Sequence, residues 1–391
     1  MNTSTCRPIV RSFLKTTLSN QTCRLIAARK PARAALAPSK VQKDSPDDHG
    51  RISTSRNTAS AKRSGSRTQP SSSPSKSYEQ ILPPTDLLNT AYDSGALHIT
   101  PEKAMEFFRE FLTADMVNSP GWQRRVCLNN DIDPCTLGLL AGILENCEDA
   151  AQRRFGGNLL AIAAKFGDRA ANLKRVHQAN KTGQLRLVPD ALAQVGLMAK
   201  KGDDPQAMTL LGMVCFSQGK EVQALEWLRK ATAGSLDFHG AADALVLQGR
   251  ILAAKDKEAA RAAFQRAATE LNDPEAYFRL GALTKPNSEA QHEHLLQAAS
   301  SGILEACHNL GMIHVSKFGT ETNMTSLDDY ELARDWTLIA AEGGFALSML
   351  NMAQMCRSVG ERKEGMRWLQ KAAKRPEVRE EAESLIEQWS S

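Results

Sequence analysis

The chain has 391 residues, 49 Lys and Arg against 44 Asp and Glu, and 42% hydrophobic residues. That length suits one long solenoid or two domains, and the absence of any run of 18 apolar residues excludes an expected transmembrane helix. The eight cysteines contain no C-x-x-C pair and no evenly spaced set, which excludes a disulfide framework and points to a reducing interior.

The net charge of +5 is unevenly placed. Met1 to Lys76 carries 15 Lys and Arg against 3 acids, whereas Ser77 to Ser391 carries 34 against 41. No acid precedes Asp44, and nine basic residues fall before it among Ser, Thr and Ala. Arg7, Arg11 and Lys15 are four apart, and Ile9, Val10, Phe13 and Leu14 occupy much of the opposite side. An acid-poor, Arg- and Ser-rich amphipathic start is the pattern of a mitochondrial transit peptide, expected over 1–43. Charges interrupt every early apolar run, so a secretory signal is not expected. Residues 44–80 are Ser-, Pro- and Lys-rich and too poor in apolar residues to fold, which reads as a linker.

An N-terminal helical region is expected over 81–190. Thr100-Pro101 supplies an N-cap and a first-turn Pro for a helix carrying Met105, Phe108 and Leu112, and Asp133-Pro134 does the same for the next. From 191 to 391 the pattern repeats. Ala191 to Gly202 reads as the second helix of a unit, and five units follow in which an Ala precedes a Gly or its substitute by five residues: Ala207/Gly212, Ala244/Gly249, Ala276/Gly281, Ala306/Gly311 and Ala346/Asn351. Each is followed by a bulky residue with Ala four positions later, at Trp227, Phe264, Leu295, Trp336 and Trp368. The small residues are expected to let a neighbouring helix approach, and the large ones to fill the space between units. The glycines are 37, 32, 30 and 40 apart counting Asn351, near the period of about 34 of a tetratricopeptide unit. Extra residues in the fourth unit fall near Phe318–Asp329, a run that reads as a loop. Arg379 to Trp389 reads as an amphipathic capping helix, needed because an open solenoid end exposes apolar surface.

The stretch Glu331-Leu-Ala-Arg-Asp-Trp336-Thr-Leu-Ile-Ala-Ala-Glu-Gly-Gly-Phe-Ala346 resembles the Sel-one-like repeat, a relative of the tetratricopeptide repeat with variable inter-helix loops. Ala372-Ala373 and Ala298-Ala299-Ser-Ser-Gly302 echo its double Ala and Gly, and the resemblance covers about Ala191 to the C-terminus. It implies an all-α fold, a right-handed α-solenoid of helix pairs, and a role as adaptor or assembly scaffold rather than enzyme. It also implies that the first helices line a concave groove. In that register the groove-facing side chains are Met213, Phe216, Arg250, Phe278, His308, Met312, Met352 and Met355, with Thr209, Val246, Ala282, Val315 and Ser348 beside them. Met is flexible and polarizable, suited to adaptable apolar contacts.

The chain contains no phosphate-binding G-x-x-x-x-G-K-[ST] loop, no G-x-G-x-x-G after a strand, no G-x-S-x-G elbow and no H-E-x-x-H. His292-Glu293-His294 places its imidazoles on different helix faces, and His308 and His314 are six apart, so neither pair has metal-ligand spacing. No cofactor, metal or catalytic residue is expected. The expected partners are proteins, among them inner-membrane complex subunits, with peripheral membrane association. The leading expectation is a scaffold in the mitochondrial matrix or on the matrix face of the inner membrane. It resembles in layout the soluble helical-repeat factors that assist respiratory-complex assembly in fungal mitochondria, such as that of cytochrome oxidase. The alternative is a mitochondrial RNA- or ribosome-associated translation factor. A basic stretch at Lys165–Lys181 with Arg169, Lys174 and Arg175 supports it, but the acidic balance of the folded part opposes phosphate binding.

Overall fold

The computed structural model describes residues 80–117, 120–318 and 324–390. The expected transit peptide and all but the last residue of the expected linker lie outside the described residues. Eighteen α-helices and no strand occur among the described residues.

Helices α1 (Thr85–Asp93), α2 (Pro101–Val117) and α3 (Trp122–Asn129) form the N-terminal end. Seven hairpins follow. They are α4 (Pro134–Glu145) with α5 (Ala150–Lys165), α6 (Arg169–Lys181) with α7 (Pro189–Lys201), and α8 (Pro205–Ser217) with α9 (Glu221–Ala231). Next come α10 (Ala241–Leu252) with α11 (Lys257–Leu271), and α12 (Pro274–Leu283) with α13 (Glu289–Ser300). The last two are α14 (Leu304–Val315) with α15 (Glu331–Glu342), and α16 (Ala346–Ser358) with α17 (Arg362–Ala372). The expected capping helix is α18 (Arg379–Ser390), which packs on α17. Each helix packs chiefly on its neighbours in sequence, which makes an all-α solenoid. Position 190 lies in the first turn of α7, and hairpin packing runs unbroken on both sides of it.

Eight of the helices start at a side chain that caps them. Lys103 N donates to Thr100 Oγ1 at 3.3 Å. Asp133, Asp149, Asp168, Asp204, Asp256 and Asp273 each accept a first-turn N–H through a carboxylate, and Ser288 does so through its hydroxyl. Such caps satisfy donors that the helix itself leaves unpaired. At the N-terminal end the core is aromatic. Phe107 and Phe108 are fully buried, the Phe111 and Trp122 rings meet edge-on at 4.6 Å, and Gln152 Nε2 donates to the Leu82 carbonyl at 2.6 Å.

The repeat glycines mark where two helices of one hairpin touch. A Cβ on Gly212 would stand 2.7 Å from the Leu228 side chain, on Gly249 2.5 Å from Phe264, and on Gly281 2.9 Å from Leu295. On Gly311 it would meet Thr337 Oγ1. These distances show which neighbour of each bulky residue meets the glycine in the two units that carry Trp227 and Trp336. The residue facing the glycine is Leu228 rather than Trp227, and Thr337 rather than Trp336. The tryptophans sit one position earlier and pack elsewhere. Trp227 joins a cluster with Val195 and Ala199 of α7, and Trp336 one with Leu295 and Ala299 of α13, so both fill space between units as expected.

The fifth unit solves the same problem differently. Asn351 replaces the first-helix glycine, and a glycine appears on the second helix instead. A Cβ on Gly365 would lie 3.0 Å from the Ala353 carbonyl and 3.1 Å from the Trp389 ring of the cap. The α4–α5 hairpin also uses its second helix, where a Cβ on Gly156 would lie 2.8 Å from the Ala141 carbonyl.

A paired substitution checks this account. Gly249→Ala forces Phe264 out of a filled core and is expected to destabilise by about 1–3 kcal/mol. Gly196→Ala in α7 meets nothing within 4 Å and is expected to stabilise by about 0.5–1 kcal/mol. Denaturant unfolding of both variants reads the opposite signs.

Candidate protein-binding face

The first helices form one side of the stack. Successive first helices approach one another, α4 on α6, α6 on α8 and α8 on α10, whereas among the second helices only α5 and α7 come as near. From α4 to α10 the first-helix side is therefore the inner face, and His308–Ser348 and Met312–Asn351 bring the first helices α14 and α16 together in the same way.

Most of the expected groove residues lie there with some surface free. Met213, Phe216, Phe278 and His308 are half-buried, and Arg250 is exposed. The Arg250 guanidinium lies 5.9 Å from the Phe216 ring centroid, linking α10 to α8. Met312 is 39% exposed, and Asn351 Nδ2 lies 3.0 Å from its sulfur. His308 Nδ1 is 2.8 Å from the buried Ser348 hydroxyl, and its ring stands 5.0 Å from Phe345. Burial holds the His308 imidazole below its ordinary pKa.

Met352 and Met355 do not belong to this surface. They are 3% and 5% exposed and pack with Leu350, Trp368 and Leu369 in the C-terminal core. Here α16 turns Asn351 toward α14, and its exposed side chains are Leu347, Gln354, Arg357 and Ser358. Thr209 and Val246 are also buried.

A cleft of about 390 Å³ opens on the inner face between α6, α8 and the start of α10. It takes Arg169 and Lys174 from the basic stretch read in the sequence, while Arg175 does not line it. Arg169 grips Asp204 through Nε at 2.7 Å and Nη2 at 2.8 Å and reaches Gln206 Oε1 at 3.1 Å. Burial raises the Asp204 pKa, but the Arg169 bond and the Ala207 N–H outweigh it, leaving the carboxyl below its usual range. Lys174 pairs with Glu145 of α4. Sequence spacing gave no sign of these pairs, because their partners lie on other hairpins. The two cations most relevant to nucleic-acid binding are thus engaged with carboxylates.

One contact links histidines the sequence kept apart. His292 of α13 and His314 of α14 meet with ring centroids 5.6 Å apart, and His314 Nε2 is buried without a hydrogen-bond partner. Among the described residues no three His, Cys, Asp or Glu side chains converge as a metal site would require. The buried cysteines behave as core residues: burial lifts the thiols of Cys127 and Cys356 to about 11 and of Cys307 to about 12. No described helix is long and apolar enough to cross a membrane.

No family model and no curated protein matches the chain. Among solved structures it is similar to a Sel1 repeat protein from Oxalobacter formigenes, at 18% identity and a TM-score of 0.44, over 66% of this chain and 99% of that one. It is also similar to a protective antigen of uropathogenic Escherichia coli displaying an SLR fold, at 16% identity and a TM-score of 0.43, over 76% and 72%.

The histidine pair predicts a pH dependence. Burial, Lys317 and His292 together push His314 down to about 4, and burial, then Lys317, lower His292 against a smaller opposing pull from Glu293. Both rings therefore stay neutral to lower pH in the folded state than in the unfolded chain, which takes up protons near pH 6.5. Stability contributed at the α13–α14 contact is full above about pH 6.5 and falls as pH drops toward about 4. His314→Phe keeps the edge-on ring contact, and denaturant unfolding across that window is expected to show a flatter loss for this variant.

Proposed function

We propose that this chain is a non-enzymatic mitochondrial scaffold that holds another polypeptide on its inner helix face. The role that fits best is assembly or chaperoning of a respiratory complex such as cytochrome oxidase, with inner-membrane subunits as partners. The observation that carries the scaffold reading is the inner face itself. The face is built of helices, whose interior backbone groups bond within the helix, so recognition falls chiefly to side chains, and those available are Met213, Phe216, Phe278, Ala282 and Met312. Flexible and aromatic apolar side chains at regular steps suit an apolar segment better than a small molecule. The acid-poor, basic first 43 residues support mitochondrial delivery. The translation-factor alternative draws on the basic stretch of α6, and the acidic balance of residues 77–391 opposes a ligand that carries a charge on every unit.

Two measurements test the proposal. Residues 1–43 fused to a fluorescent protein are expected to carry it into mitochondria; a cytosolic fusion refutes the address. Crosslinked partners from nuclease-treated mitochondria are expected to be membrane-complex subunits, lost in a folded Met312→Lys variant. Partners that vanish with nuclease instead favour the translation reading. Met352→Lys is the control for core: it buries an unpaired charge and is expected to unfold the C-terminal hairpin, at a cost of about 3–5 kcal/mol.

A further inference from the structure

We propose that the cleft between α6, α8 and the start of α10 receives an acidic segment of another polypeptide, with an aliphatic side chain next to its carboxylate. This rests on the scaffold reading and adds the chemistry of the segment.

The cleft walls carry Arg169, Lys174, His177 and His239, against one acid, Asp243. The acids that pair with the two strong cations stand behind them. Asp204 and Glu145 side chains are 13% and 18% exposed, while Arg169 and Lys174 are 52% and 44% exposed. The pairs therefore fix the cations in place and leave their outward donors free. Arg169 spends Nε and Nη2 on Asp204 and Gln206, which leaves Nη1, and Lys174 faces Glu145 as an ion pair. Cations already ordered lose less entropy on meeting an anion. His177 and His239 are exposed at the rim.

The floor is aliphatic, formed by Leu173, Leu210 and Met213. No Phe, Tyr or Trp lines the cleft, so a nucleotide base would have only the smaller His177 and His239 rings and the already paired Arg169 to stack on. The chain's own first 76 residues have 15 bases against 3 acids, so they carry the wrong charge to fill the cleft. A short stretch with a carboxylate and an aliphatic neighbour satisfies both wall and floor. The volume of about 390 Å³ sits at the small end of the roughly 300–1,000 Å³ typical of ligand pockets, enough for a few side chains rather than a folded domain.

The test uses the full chain and fluorescence anisotropy with three labelled probes: a short peptide of alternating Glu and Leu, its Gln/Leu counterpart, and oligouridylate. The Glu/Leu peptide is expected to bind about tenfold more tightly than the Gln/Leu peptide, with an affinity that falls as salt rises. His177→Glu with His239→Glu leaves every ion pair intact, and it is expected to weaken the Glu/Leu peptide about tenfold without moving the unfolding midpoint. Lys174→Gln is the second variant, expected to weaken binding in the same direction. Equal binding of the two peptides, no binding of either, stronger binding of oligouridylate, or indifference to both variants overturns the inference. Partner capture that still depends on Met312 under any of those outcomes leaves the scaffold standing without this cleft. Loss of that dependence as well removes the scaffold.

Discussion

One missing side chain in each of six of the seven hairpins sets the geometry of this protein. At Gly212, Gly249, Gly281 and Gly311 the first helix presents bare backbone to a side chain of the second: Leu228, Phe264, Leu295 or Thr337. A glycine inside a helix costs about 1 kcal/mol, while burying a Leu or Phe contributes about 1.5–3 kcal/mol. The exchange favours the hairpin only if the helices come close enough to bury the facing residue completely. Leu228, Phe264 and Leu295 are all 2% exposed or less. With the spacing inside each hairpin fixed, the double alanines at Ala267–Ala268, Ala298–Ala299 and Ala340–Ala341 are fully packed or nearly so, and the next unit has only a narrow range of placements.

The same constraint explains the one unit that departs. A close approach needs a small residue on one side of the contact, and it is indifferent to which side. In the fifth unit the glycine passes to α17 at Gly365, where the cap residue Trp389 also leans on it. The Arg357 guanidinium covers that indole at 4.6 Å. Freed from facing its own hairpin partner, position 351 accepts an Asn that reaches back to Met312. The next helical positions, Met352 and Met355, then serve the core. A register carried evenly across five units therefore places these two methionines on a surface they do not reach.

The fold was legible because its signals are local. Alanine and glycine at helical spacing, Asp or Thr before Pro, and an amphipathic last segment each depend on residues within one or two turns, and all mark real elements. Distinguishing Trp227 from Leu228, or Trp336 from Thr337, was not possible from sequence, since adjacent residues on a helix are only about 100° apart and both are apolar enough to pack. The site was less legible still. Arg169 meets Asp204, Lys174 meets Glu145 and His292 meets His314 across hairpin boundaries. Which side chains meet there depends on loop lengths and on the angle between hairpins, and no spacing rule encodes either.

The position just after each glycine shows how such a stack separates folding from recognition. The glycine faces inward to its own hairpin, so its successor points away from that contact and is constrained only by the neighbouring first helix. The residues found there are Met213, Arg250, Ala282 and Met312: apolar, charged, small and apolar again, in consecutive units whose packing is otherwise alike. None of the four is buried, and exchanging one for another leaves the facing glycine contact untouched. The inner face can therefore change its chemistry from unit to unit, polar and basic beside α6 and apolar near α14, without altering the backbone that displays it. A compact core would couple those choices, because each buried side chain there touches residues from several elements. In the stack they are uncoupled, and that independence is what lets a uniform scaffold carry a non-uniform surface.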